Sequence, residues 1–501
     1  MSGWGGGYVT DVAYVTGWQR EQSPLIMALA CLLGGVAAPM PGPDDAVSYL
    51  ELGCGHGFGA MAIAASNPCW RITAIDFNPA HIVAARERAA EAGLDNIAFI
   101  EADLATLADD AAAHSIPMAD FASLHGVWSW VPASVRAGIV RLLRDKVRPG
   151  GAIHVSYNAL PAWGNALGFQ RLLRSVGRQR AGRSDRQAGE GLKFIHELYA
   201  AEALQLRRSY IVQALIKGLD ALPLSYLTHE YMNESWSPCF MADVAEAMAD
   251  AKLEWAGSAS LVENFAELAL TEQQRTLMRQ YDDPLLRELI KDHCVERTLR
   301  HDVYVRGARP LSPPQRDAAL ASLSIGLNIP PQDLPLEAEF PAGKGELNPK
   351  FYQPIARALA DGPRRVGDLL QLPEIEGRRD NPAELVGILV GSALADPVLR
   401  PSAPPLPAAG RFNTMAARWL MQTEPPERPV AAASYRMGMP APASVLDLVV
   451  LERSMAGEGS VDALVQHVTE IANVTNEAKL REALTGSIET RMPRLRAAGV
   501  L

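Results

Sequence analysis

The sequence predicts an α/β protein with a doubly wound, mostly parallel Rossmann-like sheet, followed by a mixed α/β region and a mainly helical, winged-helix-like C-terminal domain. Three observations carry the first part. Between residues 46 and 157 short apolar runs alternate with amphipathic stretches of helical period, and such alternation implies parallel strands joined by right-handed crossovers. The first run ends on Glu51 and passes straight into a turn carrying Gly53, Gly55 and Gly57. The second run ends on another acidic residue, Asp76. A nucleotide-like ligand at the carboxyl ends of the strands is the physical expectation for this pattern.

The strands expected are 46–51, 71–75, 97–101, 121–125 and 152–157, with helices at 60–65, 79–92 and 132–146 between them. The segment 147–151 should turn ahead of the fifth strand, because Pro149, Gly150 and Gly151 follow one another. Upstream, residues 25–38 form one apolar run between Pro24 and Pro39. It is shorter than the about 20 residues that span a bilayer. Its direct join to the glycine-bearing unit favours a buried helix on the sheet over a signal peptide.

Residues 1–165 thus read as one ligand-binding domain, with 1–45 as an N-terminal cap. Residues 166–222 form a helical connector and a candidate dimerisation element, whose basic run 171–187 reads as a solvated face. A mixed α/β unit over 223–309 and a proline-rich linker over 310–345 follow. In the C-terminal domain, 346–501, helix patterns at 352–360, 366–372 and 381–394 have the spacing of a winged-helix core. Further helices are expected at 444–455, 461–474 and 478–495.

At 501 residues the chain is too long for a single core. Its net charge of −10 argues against a nucleic-acid partner, which wants a basic face. No apolar run is long enough for a membrane span. Cys31, Cys54, Cys69, Cys239 and Cys294 are scattered and form no C-x-x-C pair. Reduced thiols in a cytoplasmic protein, with neither a disulfide framework nor a metal site, are the expectation.

The strand ends carry the chemistry. Gly53, Gly55 and Gly57 stand where backbone must take positive φ or approach a ligand closely. On their own they also fit a dinucleotide fingerprint, Gly55-x-Gly57-x-x-Ala60, which leaves a dehydrogenase open. Asp76 is placed to accept both hydroxyls of a ribose, and Phe77 beside it can cover one face of an adenine. Asp103, after the third strand, can accept the adenine's exocyclic amine. The combination of Glu51, glycine turn, Asp76 and Asp103 resembles the class I S-adenosylmethionine-dependent methyltransferases. The resemblance implies S-adenosyl-L-methionine as cofactor, S-adenosyl-L-homocysteine as its product, and Leu104, His125 and Gly126 among the residues around it.

The fourth strand runs into His125-Gly-Val-Trp-Ser-Trp-Val-Pro132, which in this fold faces the transferable methyl group. The fifth ends Ser156-Tyr-Asn-Ala-Leu-Pro-Ala-Trp163. Methyl transfer is a displacement that needs its nucleophile held close and water kept out, and walls of Trp128, Trp130, Tyr157 and Trp163 could do both. An amine nucleophile arrives protonated, with a pKa near 10.4. Desolvation by aromatic walls lowers that value, and His125 or Tyr157 is the candidate to take the proton. A strand-end histidine bonded to backbone is the alternative reading of His125.

The blocks 125–132 and 156–163, with 226–233 and 299–307, resemble one branch of that class: enzymes carrying a methyltransferase regulatory domain, including the rickettsial-type outer-membrane-protein lysine methyltransferases. The resemblance implies that 223–309 is the regulatory domain. It also implies that the segment from Tyr14 to Pro24 closes over the cofactor, with Tyr14 and Gln19 near its methionine carboxylate. Where members commonly show His-Pro, this chain has Ser23-Pro24. Asn158, His229, Glu230 and Tyr231 are candidate substrate contacts, a carboxylate suiting a lysine; the alternative for 229–231 is a structural turn at a domain seam. The expected partner is a protein or small-molecule amine, with a homodimer allowed for. A small-molecule N-, O- or S-methyltransferase and a non-catalytic scaffold acting through the C-terminal domain stay open.

Overall fold

Ser48–Leu52 forms β1, buried along four of its five residues and flanked by strands on both sides. It lies at the centre of a seven-stranded sheet in the computed structural model, which describes residues 7–12, 16–218, 222–377, 379–471 and 476–500. The other strands are β2 (Arg71–Asp76), β3 (Ile97–Glu101), β4 (Ala119–Leu124), β5 (Val147–Asn158), β6 (Leu253–Ser258) and β7 (Leu299–Arg306), in the order β3-β2-β1-β4-β5-β7-β6. The first five pair in parallel, while β7 is antiparallel to both β5 and β6. Strand order reverses between β1 and β4, and a crevice for a ligand opens at the carboxyl edge of such a switch point.

Helices cover both faces. The apolar run becomes α1 (Pro24–Leu33), started by Pro24 and by Ser23, whose hydroxyl accepts from Leu25 N at 3.3 Å. With α2 (Phe58–Ser66) and α3 (Pro79–Glu91) it packs on the face of Tyr49, Ala74, Phe121 and Val303. Against Leu50, Ile75, Ala122 and Ile153 on the other face lie α4 (Ala133–Lys146) and the helix Met241–Ala249. The C-terminal helices Pro407–Thr423 and Val445–Met455 share the first core, Phe412 meeting Phe58 at 5.6 Å between ring centres. No helix among the described residues is long and apolar enough to cross a membrane.

Three expectations change. The region 223–309 is not a unit apart, because β6 and β7 complete the main sheet; nothing local in a strand's own period names its partner. The expected linker 310–345 holds the helix Pro313–Ser322 and the strands Ser324–Leu327, Glu337–Phe340 and Gly343–Glu346. Its prolines start the helix, Ser312 and Gln315 closing a capping box. The expected turn at 147–151 is strand with a register shift opposite Ala119 and Phe121, Gly150 taking φ 81°. Of the basic run, Arg178 meets Glu234 and Arg183 meets Asp185 at the surface, whereas Arg174, which also meets Glu234, is buried rather than solvated.

Candidate active site

The turn after β1 uses its glycines for different reasons. All three have positive φ, at 77°, 53° and 72°. A Cβ on Gly53 would lie 2.3 Å from Val127 Cγ2, and one on Gly57 would lie 2.5 Å from the Phe99 ring. A Cβ on Gly55 would meet none of the described residues within 4 Å. Beneath the turn Glu51 is buried, with Oε1 accepting from Gln22 Nε2 at 3.3 Å and Oε2 having no hydrogen-bond partner among the described residues. Burial pushes its carboxyl up to about 7; the Gln22 bond opposes the rise and the nearby Asp76 adds to it. A buried carboxylate with an unmet oxygen fits a cationic ligand group.

Asp76, at the end of β2, is also buried. Its two oxygens accept from Gly55 N at 2.8 Å and Asn78 N at 2.9 Å, which ties the glycine turn to the start of α3. Phe77 is half-buried and meets Tyr8 edge-on, ring centres 5.9 Å apart. Asp103 is exposed, one oxygen accepting from Ala105 N at 2.8 Å, and Leu104 beside it is core.

On the α1-facing side of the sheet, three histidines from three neighbouring strands meet. His125 follows β4, His154 lies in β5 and His301 in β7. Ser156 Oγ, which accepts from Gly126 N at 2.9 Å, lies 2.9 Å from His125 Nδ1. His154 has Ser123 Oγ 3.2 Å from Nδ1 and His301 Nδ1 3.0 Å from Nε2. Burial, then the neighbouring His301, pushes His125 down to about 3, and burial takes His301 down to about 4. His154 is held well below the usual histidine range by burial and by both neighbours. A neutral His125 can accept a hydrogen bond, but it is a weak base at neutral pH.

The aromatic residues divide into two groups. Trp130 lies parallel to Trp236 at 6.0 Å, and Trp163 meets Trp236 edge-on at 5.3 Å. Trp236 Nε1 donates to Asn158 Oδ1 at 3.0 Å, and Trp163 Nε1 donates to Thr298 O at 2.7 Å. Sequence reasoning missed Trp236, which lies just beyond the block 226–233 and in another region of the chain from the strand ends. It missed Gln22 too, whose amide also reaches Ser123 at 3.2 Å. Trp128 and Tyr157 stand apart from this group. Trp128 is core, with the Arg136 guanidinium over its ring. Tyr157 points to the opposite face, where its hydroxyl donates to Asp302. Burial, then Asp302, holds that phenol well above its usual range, so as a base it is mismatched both in place and in pKa.

Segments distant in sequence cover the crevice. Val9 N donates to Asn233 Oδ1 at 2.8 Å and Glu234 N to Gly7 O at 2.9 Å, while a ring nitrogen of His229 lies 3.0 Å from Val12 O. Further on, Thr16 N donates to Glu424 Oε1 at 2.8 Å, and Arg20 binds Val390 O and Asp396. Trp18 lies over Gly59, against the glycine turn. Tyr14 falls outside the described residues, and Gln19 is exposed, its backbone carbonyl accepting from Gln22 N at 3.0 Å. His229 and Tyr231 are buried, and Tyr231 meets Phe169. Half-buried Glu230, pushed up to about 7 by burial, lies among Tyr226 and Tyr231.

Comparison with known proteins adds the following. A family model described as "Methyltransferase domain" matches residues 50–153, and one described as "Predicted methyltransferase regulatory domain" matches 223–306. An uncharacterized protein of Synechocystis sp. is 33% identical over 374 residues, covering 75% of this chain and 73% of that protein. An uncharacterized protein of Rickettsia prowazekii is 24% identical over 196 residues, covering 39% of this chain and 76% of that protein. The structure of PKMT2 from Rickettsia typhi in complex with AdoHcy superposes with a TM-score of 0.71 at 17% identity, over 97% of this chain and 100% of that one. That likeness is one of fold and extends from the sheet through the C-terminal helices.

Proposed function

This chain belongs to the class I S-adenosylmethionine-dependent methyltransferases that carry a methyltransferase regulatory domain, and on that premise we propose that its acceptor is an amine, with the lysine side chain of a protein as the first candidate. The observation that carries the reading is the group of Trp130, Trp236 and Trp163 around Asn158, beyond the carboxyl ends of β4 and β5. Bound at the β1 turn, S-adenosylmethionine supplies an electrophilic methyl group and leaves as S-adenosylhomocysteine. Glu51 pairs with the cofactor's ammonium group, Asp76 takes the ribose hydroxyls, and Phe77 and Asp103 border the adenine. AdoHcy in the superposed PKMT2 structure supports the same ligand here.

Trp130, Trp163 and Trp236 strip water from an incoming amine and lower its pKa toward the uncharged, nucleophilic form. Their faces also receive the cation before it loses its proton. The Asn158 carbonyl oxygen, already accepting from Trp236, is held in place as a second acceptor for an amine N–H. His125 stays neutral and orients rather than ionises. Half-buried Glu230 offers a carboxylate to a cationic side chain on its way in. The test is mass spectrometry of lysine-bearing proteins and of small amines after incubation with isotopically labelled cofactor. Label on lysine supports the reading, and label confined to oxygen or sulfur acceptors overturns it.

A further inference from the structure

We propose that His125, His154 and His301 form a binding site for one divalent transition-metal ion of the zinc type. One ring nitrogen from each lies within 4.8 Å of the others. The three rings are within 14–15° of parallel, with centres 5.3, 5.7 and 6.1 Å apart. An ion bonded at about 2.1 Å to three imidazoles in a common plane would set their centres roughly 5.6 Å apart, so the rings already stand near ligand separation. Ser156 at His125 Nδ1 and Ser123 at His154 Nδ1 are partners of the kind that fix the tautomer of a ligating histidine. With its proton on Nδ1, toward Ser123, His154 turns the lone pair of Nε2 to the ion. His301, with its proton on Nε2, turns Nδ1, 3.0 Å from His154 Nε2, to the same ion, and His125 Nε2 has no hydrogen-bond partner among the described residues. His154 and both serines are fully buried whereas His125 is half-buried, so an ion enters on the His125 side. Its fourth position is left there for water or another lone-pair donor.

The experiment uses the full chain, free of any polyhistidine tag and stripped with a chelator, titrated with zinc chloride against a chromophoric chelator and with cobalt chloride by visible absorption. One zinc per chain and a four-coordinate cobalt spectrum are expected. His301→Gln and His125→Gln should each weaken zinc at least tenfold, and Ser156→Ala by about 10- to 100-fold. Zinc should raise the melting temperature of the parent protein and not of the His301→Gln protein. S-adenosylhomocysteine titrated into His301→Gln checks that the fold survives, and its affinity there should match the parent, so loss of the metal and loss of the cofactor reading are told apart. No zinc uptake at micromolar concentration, or uptake equal in the parent and both histidine variants, overturns the proposal.

Discussion

Glu51 allows the cofactor assignment to be tested through pH. Its carboxyl is pushed from 4.5 up to about 7, which corresponds to about 3 kcal/mol held against the charged form. A cation placed at Oε2 reverses that preference, so binding requires the ionised carboxylate and releases a proton wherever the free protein holds one. The sign follows: affinity is full above about pH 8 and falls as pH drops through about 7. With a free value of about 7, the dissociation constant should rise about twofold by pH 7 and about tenfold by pH 6, relative to its plateau above pH 8. Titration calorimetry with S-adenosylhomocysteine, in buffers of different ionisation enthalpy, measures both the affinity and the released proton, about one half per site at pH 7. Glu51→Gln should lower the plateau affinity by about 1.5–3 kcal/mol and remove this component of the pH dependence. The ligand's own amine titrates against both proteins, so their difference isolates Glu51. Parallel pH curves for the two proteins would refute the pairing.

Three further perturbations separate binding, turnover and folding. Asp76→Ala should weaken the cofactor by about 1.5–3 kcal/mol in the same calorimetric assay, through lost ribose contacts and a glycine turn freed at Gly55. Trp130→Ala should leave cofactor affinity unchanged and cut turnover about tenfold or more, whereas Trp128→Ala, a core change, should cost about 3–5 kcal/mol in denaturant unfolding; equal loss of binding and turnover in Trp130→Ala would make that ring a core residue. Arg300→Met should cost about 3–5 kcal/mol, since Arg300 bridges Glu288, Asp292 and Asp302 in the interior. Asp292, which burial already holds above the usual carboxylate range, loses its main opposing charge in this variant, so unfolding profiles should show stability falling as pH rises above the unfolded carboxylate range.

Local chemistry was the legible part of this chain. The glycine turn, Glu51, Asp76 and the capped start of α1 lie within single segments, where sterics and hydrogen bonding act between near neighbours. Pairings across long separations were not legible. His154 and His301 stand 147 residues apart, with no ligand spacing to announce them. Trp236 reaches the fifth strand only because Ser237 N donates to Ser129 O at 2.8 Å and Cys239 N to Asn158 O at 2.9 Å. Tyr157 was misplaced by a question of register, since alternate residues of β5 face opposite sides of the sheet. Ser156 pairs with His301 on the histidine face, and its neighbour Tyr157 therefore turns to the ionic network on the other.

The same register explains why the region after residue 223 cannot be a detachable regulator of a finished enzyme. β7 puts His301 beside His154 on one face of the sheet and Asp302 against Tyr157 on the other. Arg300, fully buried, carries that second face on to Glu288 and Asp292 in the helix Pro284–Cys294. Trp255 Nε1 donates to Asp302 at 3.1 Å, so β6 is bound into the network as well. Remove β6 and β7, and β5 becomes an exposed edge, with Tyr157 missing its acceptor and His154 its neighbour. A shift of this region against the sheet would move ring contacts beneath the methyl-transfer cleft and break ion pairs behind it in the same step. Control exerted by the region can therefore act through β5, the strand that also ends in Asn158, as well as through the contacts of His229, Asn233 and Glu234 with residues 7–12.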